Sequence, residues 1–143
     1  MIFCLQNGAV PLSGTALCFY CLIVSLVPPD IKEVFFVYTV KIMNEYLHGP
    51  IWIYNPDGVA VLRYPIISDD PVLCELNRQA MEMFSGYYEF DSHGQPCWFN
   101  HDLERKERDT MLILIRKIRA RLDEINDGSF VVEDLETARL NSL

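Results

Sequence analysis

A chain of 143 residues, half of them hydrophobic and 22% charged, is long enough for one domain with a true core and too apolar for wholesale disorder. Its formal net charge of −8 opposes non-specific binding to phosphate backbones, so nucleic acid is not an expected partner; an acidic surface suits a basic protein surface better. Five cysteines, Cys4, Cys18, Cys21, Cys74 and Cys97, are odd in number and scattered, which argues against a secreted disulfide framework and fits reduced thiols in a cytosol.

The first 42 residues differ from the rest. Lys32 and Lys41 balance Asp30 and Glu33, whereas residues 43–143 hold ten basic and eighteen acidic side chains. Nothing before Asp30 is charged, and residues 9–27 form a nineteen-residue apolar run that ends at Pro28-Pro29. That run is barely long enough for a transmembrane helix, and Pro11, Ser13, Gly14 and Thr15 interrupt its first half. A secretory signal would want a positively charged start, and MIFCLQNG has none. A third reading is an early annotated start, because Lys32-Glu33-Val34 can be encoded by a ribosome-binding-like sequence ahead of a valine start codon at Val37. The expected organisation is therefore an apolar leader, residues 1–42, before a single small domain, residues 43–143. The protein is then cytoplasmic, or membrane-anchored if residues 9–27 are expressed and span a bilayer. Cys18 and Cys21 have CxxC spacing but sit in the apolar run with no second ligand pair.

Past Met43, IWIY, NPDG and VAVLRY read as a β-hairpin around a Pro-Asp-Gly turn, with Pro65 ending or edging the second strand. Trp52 and Tyr54 alternate with Ile51 and Ile53, so one face can be buried while the other is aromatic. Asp70 then Pro71 is a helix start, and Val72, Leu73, Leu76, Ala80, Met83 and Phe84 form its apolar stripe. Gly86 is a natural left-handed residue to stop it. YYEF and CWFN predict a second hairpin around DSHGQP. The longest helix runs from about His101 to Asp127 on a stripe of Met111, Leu114, Ile115, Ile118, Leu122 and Ile125, with Glu104–Arg108 and Arg105–Asp109 as ion pairs. Residues 129–132 are a candidate last strand, and the remaining residues a polar tail or one frayed helix. The fold class is α+β: two β-hairpins and a C-terminal strand in a mostly antiparallel sheet packed against two helices.

The residues from Gly86 to Asp102 gather five aromatics, two histidines and a cysteine. Asp91, His93, Cys97 and His101 are possible zinc ligands, although their spacing matches no established module and strand alternation need not put all four on one face. Cys97 beside His93 or His101 has the residue types of a nucleophile and its base, without a visible third group or oxyanion site. Asp69, Asp70, Glu89 and Asp91 have the chemistry of a magnesium-type cluster, but a helix cap and a hairpin already account for them. Arg116, Lys117, Arg119 and Arg121 flank the apolar stripe of the long helix, as expected of a solvated face. No phosphate loop, GxSxG or HExxH is present, and no cofactor or catalytic residue is assigned.

Aromatic residues are dense on the two hairpins. Most belong to a core, but a two-layer domain this small leaves one sheet face open. Trp52, Tyr54, Tyr64, Tyr88 and Trp98 are accordingly the candidate partner-binding residues. In GPIWIY, DDPVLCELN, YYEFDSHGQPCWF and EINDGSFVVED the chain resembles short, acidic, uncharacterised proteins of bacterial mobile elements and gut-bacterial genomes. The resemblance covers residues 43–143. It implies a bacterial cytosolic setting and carries no activity or catalytic residues. The resulting expectation is a non-catalytic interaction or regulatory protein that binds another protein through an aromatic sheet face or acidic surface. The alternatives are a metal-binding or hydrolytic Asp91–His101 hairpin, and a membrane-anchored small protein.

Overall fold

The structure, a computed structural model, describes residues 37–143. The leader, its CxxC pair and the apolar run at residues 9–27 lie outside them. In chain order the elements are β1 (Tyr38–Ile42), β2 (Ile51–Tyr54), β3 (Ala60–Val61), α1 (Pro65–Ser68), α2 (Pro71–Ser85), β4 (Tyr88–Ser92), β5 (Gln95–Phe99), α3 (His101–Ile125), β6 (Phe130–Asp134) and α4 (Glu136–Asn141). The α+β class is as expected, with helices packed on a sheet. Among the described residues no helix is long and apolar enough to cross a membrane.

The strands form two sheets rather than one. A four-stranded sheet has the order β3-β2-β1-β6, and β4 and β5 make a separate two-stranded ribbon. β1 is therefore an inner strand, antiparallel to β2 and parallel to β6. Its sequence, YTVKI, alternates as a half-buried strand should, and Val40 and Ile42 are fully buried. β1 thus belongs to the described fold although it lies before residue 43, where the domain was expected to begin. The uncharged residues before Lys41 hid this strand by making it look continuous with the leader. The closing of β6 onto β1 is a long-range parallel pairing, and nothing local in the chain signals it.

Local signals set most of the other elements. Asn55 turns the β2–β3 hairpin: its side chain accepts from the Val59 amide, and its backbone N–H donates to the Val59 carbonyl. β3 is much shorter than VAVLRY suggests, because Leu62 swings fully into solvent and Pro65 opens α1 instead of edging a strand. Asp70 caps α2 by accepting from the Leu73 amide, and Asn100 caps α3 by accepting from the Leu103 amide. Gly86 ends α2 in the right-handed helical region, φ −67°, so the left-handed role expected for it is not used. Gly49 is the glycine that conformation and space both require. Its φ is +86°, and an added Cβ would lie 2.7 Å from the Asn77 side chain. Asn77 occupies that spot because it accepts from the Ile51 amide and donates to the His48 carbonyl.

One apolar cluster joins the sheet to the helices. Val40, Ile42, Ile53 and Phe130 come from the sheet; Leu73, Ala80 and Phe84 from α2; Met111, Leu112, Leu114, Ile115, Ile118 and Leu122 from α3; and Leu140 from α4. The buried stripe of α3 follows the expected one, widened by Leu112. The ion pairs expected along its first turns do not form. Arg105 pairs with Asp102, Arg108 with Asp109, and Glu104 is buried under α4. The C-terminal residues are a docked helix rather than a tail: Glu136 and Leu140 are both buried.

Two polar ties hold the helices in place. Arg121 of α3 donates to the Asp70 cap of α2, joining the end of one helix to the start of the other. Around α4, Arg139 donates to Glu104 on one side and to Glu136 on the other, while Asn44 donates to Glu136 through its side chain and backbone. Replacing Arg139 with methionine should cost about 3 kcal/mol in chemical denaturation, because two buried carboxyl groups lose their guanidinium. The Arg121 hydrogen bonds hold the Asp70 carboxyl below the usual carboxylate range, with burial opposing and the Leu73 amide assisting. That contribution to stability is complete above an unfolded carboxylate pKa of about 3.9 and fades as pH falls through the lower folded value. Asp70→Asn should therefore flatten the acid limb of the stability–pH curve measured between pH 5 and pH 2, a window set by about those values.

Candidate functional site

Strand alternation and pairing register sort the four-stranded sheet into two faces. Val40, Ile42, Ile51, Ile53, Phe130 and Val132 look into the core; their partners across the ladder share that face. Thr39, Lys41, Trp52, Tyr54, Val131 and Glu133 fall on the other. The buried hydrophobic residues of the described helices all belong to the cluster that includes Val40. On the opposite face Trp52 and Tyr54 are half-buried, and Val131 is 49% exposed.

This open face is ordered by its own contacts. His48, from the β1–β2 loop, stacks on Trp52 with ring centroids 3.8 Å apart and planes 17° from parallel. The Trp52 indole Nε1 is buried and donates to no described residue. The Lys41 ammonium sits 5.0 Å from the centre of the Tyr54 ring and 3.6 Å from Glu133. A tryptophan, a tyrosine and an exposed valine thus line up across β2, β1 and β6, with one cation and one anion between them. The hairpin alternation in IWIY foretold Trp52 and Tyr54. Lys41, Val131 and Glu133 were not foreseen, because their place depends on β1 and its two neighbours.

The other three aromatic candidates lie elsewhere. Tyr64 stacks on the core-side Tyr38, centroids 4.2 Å apart, meets Phe130 edge-on, and donates its hydroxyl to Ser129. It braces the sheet from its packed side. Tyr88 belongs to an aromatic cluster with Tyr46, Phe84 and Phe99 at the root of the ribbon. Trp98 lies across the ladder from Glu89, on the ribbon face opposite the Phe90–Cys97 pair, and beside His93. The five residues therefore do not make one surface: Trp52 and Tyr54 share a face, and the rest are dispersed over three environments.

The suspected metal or nucleophile group is divided in the same way. The ribbon closes through His93 and Gly94, both at positive φ, 52° and 69°, as a two-residue turn of the primed kind demands. Glu89 is its polar hub. Its carboxylate accepts from Asn100 at 2.7 Å, from Ser92 and from the His93 Nε2–H at 3.1 Å. Chiefly through the Asn100 hydrogen bond, the Glu89 carboxyl is held below its ordinary range. His93, Trp98, Asn100, His101, Asp102 and Arg105 border a cleft of about 350 Å³ between the ribbon and the start of α3. Cys97 pairs with Phe90 on the opposite face of the ribbon and is exposed there. Asp91 is absent from the cleft as well and carries a strained φ of 52°. Among the described residues no three His, Cys, Asp or Glu side chains converge in a way that could hold a metal ion. The magnesium-type set is dispersed too, since Asp69 pairs with Arg63, Asp70 with Arg121 and Glu89 with Asn100 and His93. The basic residues of α3 do not form a groove: Arg119 pairs with Asp123, and Arg121 with Asp70 and Glu124.

Because Cys97 faces away from His93, one equivalent of zinc should leave its rate of alkylation by iodoacetamide unchanged. Protection of Cys97 that disappears in His93→Ala would restore the four-residue site. Comparison of the chain with family models, with curated proteins and with solved structures returns no match.

Proposed function

We propose that the chain is a non-catalytic interaction protein that engages another protein through the open face of its four-stranded sheet. The bacterial cytosol implied by the resemblance is the setting in which we place it. One observation carries the reading. Trp52 and Tyr54 stand on a strand whose alternate residues are core, yet they lie on the face opposite the cluster that takes the buried hydrophobic residues of the described helices. Aromatic side chains bring large contact area at low entropic cost, and they are enriched where protein interfaces are most deeply buried. The flanking Lys41–Glu133 pair would form a polar rim. The cleft by His93 lacks a convergent nucleophile or metal set, so it supports catalysis less well than the sheet face supports binding.

A photo-crosslinking amino acid placed at residue 54 of the full-length chain should give one dominant adduct in its native host. Trp52→Ala and Val131→Glu should each abolish that adduct while the melting temperature shows a folded domain. Crosslinking that survives both substitutions in folded protein would remove this face from consideration.

A further inference from the structure

A second surface, on the ribbon, has a more definite chemistry. Tyr88 and Phe99 face each other across the ladder, as do Phe90 and Cys97, so three aromatic rings and a cysteine share one ribbon face. Its root is packed, through Tyr88 and Phe99 against Phe84. Its outer part is not. Phe90 is 55% exposed and Cys97 is exposed, while Tyr46 from the β1–β2 loop leans over both Tyr88 and Phe90, at 4.7 and 5.9 Å between centroids. Of these residues only Tyr88 is among the partner-binding candidates expected from the sequence; Tyr46, in the β1–β2 loop, is not.

The uncompensated charge at this shelf is negative. Glu45 precedes Tyr46 and is close enough to raise the Tyr88 phenol, second only to burial. Among the described residues Glu45 has no ion-pair or hydrogen-bond partner for its side chain. Arg139, the one cation acting on the Tyr88 phenol, is already engaged by Glu104 and Glu136. Among the described residues the ribbon has no third strand, so its outer edges keep backbone donors and acceptors for an extended chain.

We infer that the Tyr46–Tyr88–Phe90 shelf docks an extended segment bearing lysine or arginine, whose cations meet Glu45 and the aromatic faces. Ring faces and a carboxylate with no cation of its own are complementary to that partner and not to a second copy of this acidic chain. The inference extends the interaction reading to a surface that does not include Trp52 or Tyr54, so the two can fail separately.

The test titrates the full-length chain with a synthetic peptide of alternating arginine and valine, followed by NMR of the tyrosine and phenylalanine rings. Saturable shifts are expected at Tyr46, Tyr88 and Phe90. Affinity should fall at least tenfold in Phe90→Ala and in Glu45→Gln and should be unchanged in Trp52→Ala. A serine–valine peptide should give no shifts. The inference is overturned if Glu45→Gln binds as the parent does, if shifts spread without saturation over other acidic surfaces, or if the same ring signals move on simple dilution, which would mean self-association. Should Phe90→Ala fail to melt as a folded domain, Glu45→Gln alone decides, since Glu45 is exposed.

Discussion

The arrangement of this fold turns on one half-buried guanidinium that neutralises two buried carboxylates. Arg139 stands between Glu104 and Glu136, whose side chains are each 2% exposed. Burying two carboxyl groups is expensive unless they are paired and hydrogen-bonded. Here both are satisfied by residues from elements far apart in the chain: Arg139 from α4, and Asn44 just after β1. The same short helix sends Leu140 into the apolar cluster and lays Arg139 near the Phe84 ring at the end of α2. A six-residue helix would not persist alone. It persists because the ion cluster and one buried leucine give it a fixed seat, and in taking that seat it holds β6, which precedes it, alongside β1.

This seat explains why one side of the sheet is closed and the other open. Helices α2 and α3 pair through their apolar stripes, tied at one end by Arg121 on Asp70. With α4 they contribute the buried residues facing Val40, Ile42 and Phe130. The opposite side chains, Trp52, Tyr54 and Val131 among them, lie where no described helix contributes. The ribbon stands apart from this sheet altogether, rooted by Phe84, Tyr87, Tyr88 and Phe99 and reaching outward to Phe90. Two aromatic surfaces of different character follow: one broad and balanced in charge, the other narrow and acidic.

Tyr87 adds a physical footnote to the root of the ribbon. It is 1% exposed, and its hydroxyl finds no partner among the described residues. Burial raises its phenol, and the nearby Glu107 and Glu104 carboxylates raise it further. A phenol that stays protonated keeps the aromatic cluster free of a buried negative charge beside those carboxylates.

Local chemistry in the chain was enough to place α2 and α3, the aspartate cap of α2, both hairpins and the alternation that turns Trp52 and Tyr54 away from Ile51 and Ile53. Those features depend on periods of two and 3.6 residues and on turn residues, all read within a dozen positions. Tertiary structure alone decided the remainder. β1 became an inner strand because β2 and β6 both pair with it, although its sequence merges into a largely apolar leader with no net charge. Glu104 left its expected helix-surface pair because Arg139 reaches it from thirty-five residues away. Cys97 and His93 were parted because pairing with Phe90 fixes which side of the ribbon the cysteine takes. Pairings between distant segments cost loop entropy and are repaid only when the whole core assembles, so no short stretch of this chain encodes them.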